Sequence, residues 1–260
     1  MSALTIGHDA EVFVSKHGTI ADAIGLLGGT KESPLQVQQG ALQEDNVLAE
    51  LNIHPAGTAD EFVDNTNVVM EVLKDMLPSG YDVVIQSSHH YEKEYLMGAH
   101  DQAMEFGCDP DYNCWTLEEN DTSSPLTTLR TAGGHVHIGF PDDVTLLEQV
   151  KVMRMCDYLL GLPSVLLDTD TERRNLYGSA GAYRPKPYGA EYRVLSNFWL
   201  KDECLMRWVH SQAISCYELR TSLKDMELQL SSMELQRIIN TSDKVEAAKW
   251  VQALNINMPV

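Results

Sequence analysis

The chain has 260 residues, of which 43% are hydrophobic and 22% are charged, as in ordinary globular proteins that bury one large core. Its 19 basic and 38 acidic residues give a net charge of −19, which repels a phosphate backbone and argues against non-specific nucleic-acid binding. No run of 18 apolar residues exists, so no membrane-spanning helix is expected. We predict a single domain over 1–260.

The N-terminal sequence MSALTIGHDAEVF lacks the basic flank and long apolar stretch of a signal peptide. The five cysteines are odd in number and contain no C-x-x-C pair, which indicates free thiols in a reducing compartment. We therefore expect a cytoplasmic protein.

The first third of the chain is predicted to contain short strands and one helix. The strands are expected at 3–14, 20–27, 35–41, 46–53 and 81–88. Thr58 is a suitable N-cap, and Asp60 and Glu61 follow in the first turn. A helix is therefore predicted from this cap to Pro78, which cannot continue it.

Polar side chains alternate with apolar ones on two of these strands. Asp9 and Glu11 are two residues apart on the first strand, and Glu50 and Asn52 are two apart on a later one. Residues at this spacing point to the same face of a strand. Carboxylates crowded on one face repel each other unless a cation lies between them.

The long polar segment 97–126 follows the last of these strands. Structureless connections of this length are uncommon in compact domains, so the segment is expected either to fold locally or to have a function. A lid that excludes water from a labile intermediate is the functional alternative.

A histidine pair lies in TAGGHVHIGF, on the strand predicted over 129–140. His135 and His137 point to the same side of that strand. The other interpretation is two histidines on the solvated face of a half-buried strand. Close approach of the backbone to a ligand would be permitted by three neighbouring glycines, Gly133, Gly134 and Gly139.

A helix predicted over 143–160 is followed by a segment rich in cations. Five of the 19 basic residues fall within 21 residues: Arg173, Arg174, Arg184, Lys186 and Arg193. An acidic protein that concentrates its cations in this way is expected to bind a small anion there. The alternative is a solvated loop whose cations pair with nearby acids.

The last predicted strand, 189–196, carries Glu191 and Arg193 on one face. From about 202 onward the chain is predicted to be mainly helical. Strands joined by both short turns and long helices predict an α+β fold, with a largely antiparallel sheet covered by helices on one face.

Taken together, the polar clusters favour phosphate chemistry. Oxygen-rich clusters with one imidazole suit Mg²⁺ or Mn²⁺, and guanidinium groups bind the phosphates that such metals bridge. The alternative is that each polar pair is simply the solvated face of a strand.

Four motifs, in their order and spacing, resemble the glutamine synthetase and glutamate–cysteine ligase superfamily, in particular its phage-encoded carboxylate–amine ligase-like branch. They are GHDAEVFV, AELNIHPAG, TAGGHVHIGF and ERRNLYGSAGAYRPKPYGAEYRVLSNFW, and the resemblance spans roughly 5–200. It implies a curved antiparallel sheet whose concave face holds ATP and two or three divalent metals. It also implies transfer of the γ-phosphate to a substrate carboxylate, followed by attack of an amine on the acyl phosphate.

The resemblance also implies roles for individual residues. The metal ligands would be Asp9, Glu11, Glu50, His135 and Glu191. Among these, Glu50 would lie on the metal nearer the carboxylate substrate, and His135 on the metal that bridges the nucleotide phosphates. Arg193 would stabilise the transferring phosphoryl group.

Further cations of the basic segment would bind the nucleotide or the substrate. Arg173, Arg174 and Arg184 are candidates for the nucleotide phosphates or the substrate carboxylate, and Lys186 belongs to the same group. His137 would face the same cleft and contact substrate or phosphate. The implied partners are small-molecule or peptide carboxylates and amines.

The chain departs from the superfamily at several points. Asp9 stands where glutamine synthetase typically has Glu, and no clear second acid follows Glu50. The small N-terminal domain of glutamine synthetase, which contributes to a neighbouring subunit's active site, has no counterpart, so the oligomeric state stays open. The other functions considered are a kinase of the same fold, a metal-dependent hydrolase and a non-catalytic binding protein.

Overall fold

The main sheet is built around one long strand. The computed structural model describes residues 3–99, 103, 111–120, 128–141 and 144–259, without the side chain of Asn175. Its strands are Thr5–Lys16 (β1), Thr19–Ala21 (β2), Leu35–Val37 (β3), Gly40–Asp45 (β4), Leu48–Ile53 (β5), Tyr81–Val84 (β6), Ser88–His90 (β7), Tyr112–Asn113 (β8), Leu129–Thr131 (β9), Val136–Gly139 (β10), Ala182–Lys186 (β11) and Gly189–Tyr192 (β12).

The strand order of the main sheet is β3-β4-β5-β1-β10-β12-β11-β8, and β2 and β6 also pair with β1. All these pairs are antiparallel. β7 and β9 form a separate antiparallel pair. The predicted α+β class with an antiparallel sheet is therefore confirmed.

The helices cover the sheet and make up most of the C-terminal part. Their bounds are Ala59–Met76 (α1), Lys93–Gly98 (α2), Leu146–Cys156 (α3), Leu162–Leu167 (α4), Glu203–Glu218 (α5), Leu223–Gln229 (α6), Ser232–Asn240 (α7) and Lys244–Ala253 (α8). α1, α3 and α5 pack directly against strands of the main sheet. Within the residues that the structure describes, none of the helices combines the length and apolar character that a membrane crossing needs.

The alternation of β1 separates the core from the opposite face of the sheet. Its apolar members that face the helices are fully buried: Ile6, Ala10, Val12 and Val14. Asp9 and Glu11 alternate with them and therefore point to the other side. Because the buried face is so apolar, a shift of this strand by one residue would bury two carboxylates, which fixes the register.

Helix α1 begins where the sequence predicted. The side chain of Thr58 accepts a hydrogen bond from the backbone N–H of Glu61, and the Glu61 carboxylate accepts one from the N–H of Thr58. This capping box satisfies two backbone donors that the helix itself leaves unpaired. The helix ends at Met76, two residues before Pro78, as the proline requires.

Several predicted elements differ from the observed ones. The strand predicted over 129–140 is two strands, β9 and β10, in different sheets. Between them the N–H of Ala132 donates to the carbonyl of Ser87, and Gly133 forms a bridge with Ser196, so the chain passes from one sheet to the other. The strand predicted over 20–27 is limited to β2. The helix predicted over 143–160 begins at Leu146 and continues through a π-helical turn, Asp157–Gly161, into α4.

β11 was not predicted, because its sequence AYRPK contains a proline and two cations and resembles a loop. It pairs with β12 in a hairpin, with Arg184 opposite Glu191. Of the segment 97–126 proposed as a lid, residues 100–102, 104–110 and 121–126 lie outside the described residues. The described part includes the end of α2 and Tyr112–Asn113, which pairs with β11, so it is locally folded.

Candidate active site

The face of the sheet opposite the helices carries a polar cleft of about 340 Å³. Five strands of the main sheet, β1, β4, β5, β10 and β11, and residues of adjoining loops contribute its walls. The lining residues are Asp9, Glu11, Lys31, Gln43, Asp45, Glu50, Asn52, His135, His137, Arg184, Lys186, Tyr188 and Arg193. Most residues that the sequence singled out therefore meet in one place.

Strand pairing brings these side chains together. Glu11 of β1 pairs with Glu50 of β5, and Asp9 pairs with Asn52. On the other side of β1, His137 of β10 pairs with Glu191 of β12. Paired residues on neighbouring antiparallel strands have Cβ atoms about 5 Å apart on the same face, so side chains distant in sequence form continuous rows.

The first group of possible metal ligands consists of Asp9, His135 and Glu191, each with a donor atom within 4.8 Å of the others. His135 Nδ1 lies 3.1 Å from Asp9 Oδ1 and 3.7 Å from Glu191 Oε1. Burial alone would raise the pKa of Asp9, but the neighbouring His137 and His135 outweigh it and hold that pKa well below its usual range. Burial and the nearby Arg193 lower the pKa of His135 to about 4.

The second group consists of three carboxylates, Glu11, Asp45 and Glu50, again with donor atoms within 4.8 Å. Burial, followed by the charge of Asp45, raises the pKa of Glu11 to about 8. Burial and the neighbouring acids raise the pKa of Glu50 well above its usual value, and burial also raises that of Asp45. Three carboxylates this close are stable together only when protons or a cation neutralise them.

Both groups have the composition that hard divalent cations prefer. Together they offer five carboxylates and one imidazole, a donor set that suits Mg²⁺ or Mn²⁺ and, without cysteine, does not resemble structural zinc sites. Burial, followed by the charges of the neighbouring acids, raises the pKa values of Glu11 and Glu50 in the second group, and a bound cation would favour their charged forms. The residues therefore fit one divalent cation in each group.

Glu191 is fully buried at the base of the cleft and is surrounded by cations. Lys186 Nζ lies 2.8 Å and Arg184 Nη1 lies 3.4 Å from its Oε2 atom. Arg193 donates from Nη1 to Oε1 of Glu191, and its Nε lies 3.1 Å from Asp111 Oδ2. Burial and Asp9 would raise the pKa of Glu191, but Arg193 and the two histidines lower it to about 2.

His137 lies between the acidic and cationic parts of the cleft. Its Nε2 is 3.1 Å from Asp9 Oδ2, and its Nδ1 is 2.7 Å from the hydroxyl of Tyr188. Burial lowers the pKa of His137, but the charge of the adjacent Asp9 carboxylate outweighs this and raises it above its usual value. The two histidines thus flank Asp9, one on each carboxylate oxygen.

A buried network holds β12, which carries Glu191 and ends next to Arg193, in place. The Tyr192 hydroxyl donates to Asp157 Oδ1 (2.7 Å), and Trp115 Nε1 donates to Asp157 Oδ2 (2.6 Å). Burial raises the pKa of Asp157 to about 6. Because Tyr192 lies between the two functional residues, this network fixes the strand from the side of the core.

Two arginines predicted to contact the nucleotide do not lie in the cleft wall. Arg173 is 3% exposed and lies behind His135, where its Nη1 donates to the carbonyl of Val194. Arg174 Nη2 donates to Ser164 Oγ among the helices. The turn Arg173–Asn175 directs both side chains into the protein interior, and their role at the nucleotide phosphates or the substrate carboxylate stays a prediction.

The three glycines around the histidine pair serve packing rather than approach of a ligand. A Cβ atom on Gly133 would lie 2.3 Å from Nε2 of His135, and one on Gly134 would lie 2.3 Å from the carbonyl oxygen of Ser196. A Cβ atom on Gly139 would meet the Thr5 hydroxyl at 2.5 Å. Gly133 thus leaves the space that the His135 ring occupies.

Four cleft residues were not identified from the sequence: Lys31, Gln43, Asp45 and Tyr188. A usable signal existed for two of them, since Gln43 and Asp45 are two residues apart on β4 and share a face. Their relevance depends on pairing, because Gln43 lies opposite Glu50 in the β4–β5 hairpin. Lys31 and Tyr188 lie outside strands and carried no such periodicity.

Comparison with known proteins gives one family match. The model of the family described as "Phage phiEco32-like COOH.NH2 ligase-type 2" matches residues 120–256. No curated protein matches the chain in sequence. A solved structure named "GmaS/ADP complex-Conformation 1" is similar over 98% of this chain and 71% of its own, with 12% identity and a TM-score of 0.43.

Proposed function

The chain belongs to the phage phiEco32-like COOH.NH2 ligase-type 2 family, and from this premise we propose that it joins a carboxylate to an amine at the expense of ATP. The observation that carries the proposal is the pairing of two groups of metal ligands with a cluster of cations in one cleft. A nucleotide triphosphate needs both, since divalent cations and guanidinium groups share the charge of its phosphates.

We propose that Asp9, His135 and Glu191 hold the cation that faces the nucleotide phosphates. Glu11, Asp45 and Glu50 would hold a second cation nearer the carboxylate substrate. Mg²⁺ or Mn²⁺, when bound, neutralises phosphate oxygens and polarises the phosphoryl group that is transferred. Asp45 is a further acid of this group. It precedes Glu50 in the sequence, whereas the superfamily pattern has its second acid after that position.

The cations of the cleft would bind and orient the anionic reactants. Arg193 is proposed to contact the transferring phosphoryl group, and Arg184 and Lys186 the neighbouring phosphate oxygens. In the proposed reaction the carboxylate oxygen bonds to the γ-phosphorus and ADP leaves. The amine nitrogen then bonds to the acyl carbon. The bond between that carbon and the phosphate oxygen breaks, phosphate leaves, and the amine loses a proton.

The test that requires no knowledge of the substrates is calorimetric titration of ATP into the protein with Mg²⁺ and with EDTA. We expect binding that depends on the metal. Carboxylates are then screened with hydroxylamine, which converts an acyl phosphate into a hydroxamate. Metal-dependent ATP binding without hydroxamate formation from any carboxylate would favour the kinase alternative, and absence of ATP binding would exclude both.

The crowded carboxylates also predict how pH affects the metal-free protein. Folded Glu11 keeps its proton to about pH 8, whereas an unfolded glutamate loses it near pH 4.3. The native state therefore binds more protons in this window, and the free energy of unfolding falls as pH rises. The histidines with lowered pKa values have the opposite effect only below about pH 6.5, so the decrease is expected between pH 7 and 8.

The predicted slope is up to about 1.4 kcal/mol per pH unit for each carboxyl group that stays protonated. It is measured by urea unfolding in EDTA at pH 7.0, 7.5 and 8.0. Glu11→Gln should reduce the slope, whereas Glu71→Gln, on the exposed side of α1, should not. Mg²⁺ should stabilise the protein more at pH 8 than at pH 7, because it replaces the bound protons. An unchanged slope in Glu11→Gln would contradict the prediction.

A further inference from the structure

The side chain of Arg130, on β9, is 4% exposed and lies outside the cleft. In its guanidinium group, Nε donates to Asn46 Oδ1 (3.1 Å), Nη1 to the carbonyl of Leu129 (2.9 Å) and Nη2 to the carbonyl of Ala103 (2.6 Å). Burying a guanidinium group is costly unless its donors are satisfied. The planar group is thereby held in a single orientation.

Asn46, the side-chain acceptor of Arg130, occupies the turn between β4 and β5. Its φ of 54° lies in the left-handed region, which asparagine tolerates better than most residues. The next residue, Val47, is fully buried, and its carbonyl accepts from the N–H of Ala23. The turn is therefore fixed by contacts on both of its residues, and it directly follows Asp45.

Arg130 also belongs to the segment that holds a second carboxylate of the same ligand group. Three residues later, the N–H of Gly133 donates to Glu11 Oε2, and its carbonyl accepts from the N–H of Glu11. Within the segment 130–133, Gly133 therefore contacts Glu11 directly, and Arg130 contacts Asn46, the neighbour of Asp45, through its side chain. The same short piece of chain therefore binds one of the three carboxylates and restrains the residue next to another.

We propose that Arg130 is a positioning residue that acts through Asn46 to aim the Asp45 carboxylate at Glu11 and Glu50. This inference rests on the proposed function, in which these three acids bind a divalent cation. Carboxylates that repel one another separate unless the backbone that carries them is restrained. The hydrogen bond to Asn46 supplies that restraint at the residue next to the ligand, where a small rotation of the turn would move the carboxylate most.

The decisive variant is Asn46→Gly, because glycine accepts the positive φ and removes the side-chain acceptor of Arg130. We expect it to weaken binding of Mn²⁺ at the second ligand group by about tenfold, measured from the free Mn²⁺ signal in electron paramagnetic resonance. Arg130→Lys should act similarly, since one ammonium group cannot reach three acceptors. Asn46→Asp, which keeps the acceptor and tolerates the turn, should retain the affinity.

A double-mutant cycle separates positioning from general destabilisation. If Asn46 acts through Asp45, Asn46→Gly has no further effect on Mn²⁺ affinity in the Asp45→Asn background. An equal loss in both backgrounds, or no loss in either, would overturn the positioning role while leaving the metal site intact. Unchanged Mn²⁺ binding in Asp45→Asn alone would instead show that Asp45 is not a ligand, and that part of the proposed function would fail first.

Discussion

Asparagine in place of Asp9 is expected to weaken metal-dependent ATP binding by about a hundredfold. The carboxylate of Asp9 lies 3.1 Å from His135 Nδ1 with one oxygen and 3.1 Å from His137 Nε2 with the other. Asparagine keeps the size of the side chain but loses its charge and one acceptor. The affinity is measured by calorimetric titration of ATP at constant Mg²⁺.

The fold is expected to survive this change. Asp9 lies near other acids, and its charge is the largest cause, after burial, of the raised pKa of Glu50. Neutralising Asp9 therefore removes repulsion inside the metal-free cleft. Asp82→Asn is the matched control, because Asp82 is an exposed aspartate on β6, a neighbour of β1. Thermal unfolding should show both variants folded. A folded Asp9→Asn variant that binds Mg²⁺ and ATP normally would exclude the first ligand group.

Lysine in place of Arg193 is expected to reduce binding of ADP with aluminium fluoride, which mimics the transferring phosphoryl group, by about 10²–10³-fold. Arg193 is 7% exposed and uses separate nitrogens for Glu191 and Asp111. Lysine keeps the charge but has one nitrogen, so it cannot hold these acids and also contact a planar phosphoryl group. Binding of ATP itself should change by less than about tenfold, because that complex lacks the transition-state charge.

Arg207→Lys is the control for this comparison, since Arg207 forms an exposed ion pair with Asp60 far from the cleft. It should leave both affinities unchanged. The test compares the affinity for ATP with the affinity for ADP and aluminium fluoride. A general loss of structure would lower both affinities together and leave their ratio unchanged. If ATP and the phosphoryl mimic weakened equally in Arg193→Lys, the arginine would bind the nucleotide without favouring the transferring group.

Much of the candidate site could be predicted from local patterns. The spacing of two residues in Asp9 and Glu11, and again in His135 and His137, follows the alternation of a strand and needs no partner to be visible. The capping box at Thr58 is equally local. The motif resemblance added the family, which the match over residues 120–256 confirms.

Local patterns could not show which polar residues converge. Arg173 and Arg174 look like the other cations of their segment, yet the turn that carries them directs both inward. Asp45 shares a face of β4 with Gln43, but it becomes one of three clustered acids only because β4 pairs with β5 and β5 with β1. No local sequence pattern marks Arg130, because only the acceptors that its guanidinium group contacts in the folded chain distinguish it.

The amino-acid sequence alone therefore determined which strands carry the acids and histidines, because the facing of a side chain depends on its own position along a strand. The tertiary structure alone decided which strands are neighbours and in what register. Those features depend on contacts between residues far apart in the chain, among them the bond from Arg130 to Asn46 across 84 positions. The side chains that each strand presents can for this reason be predicted from the sequence, whereas the pairing that assembles the strands into a cleft cannot.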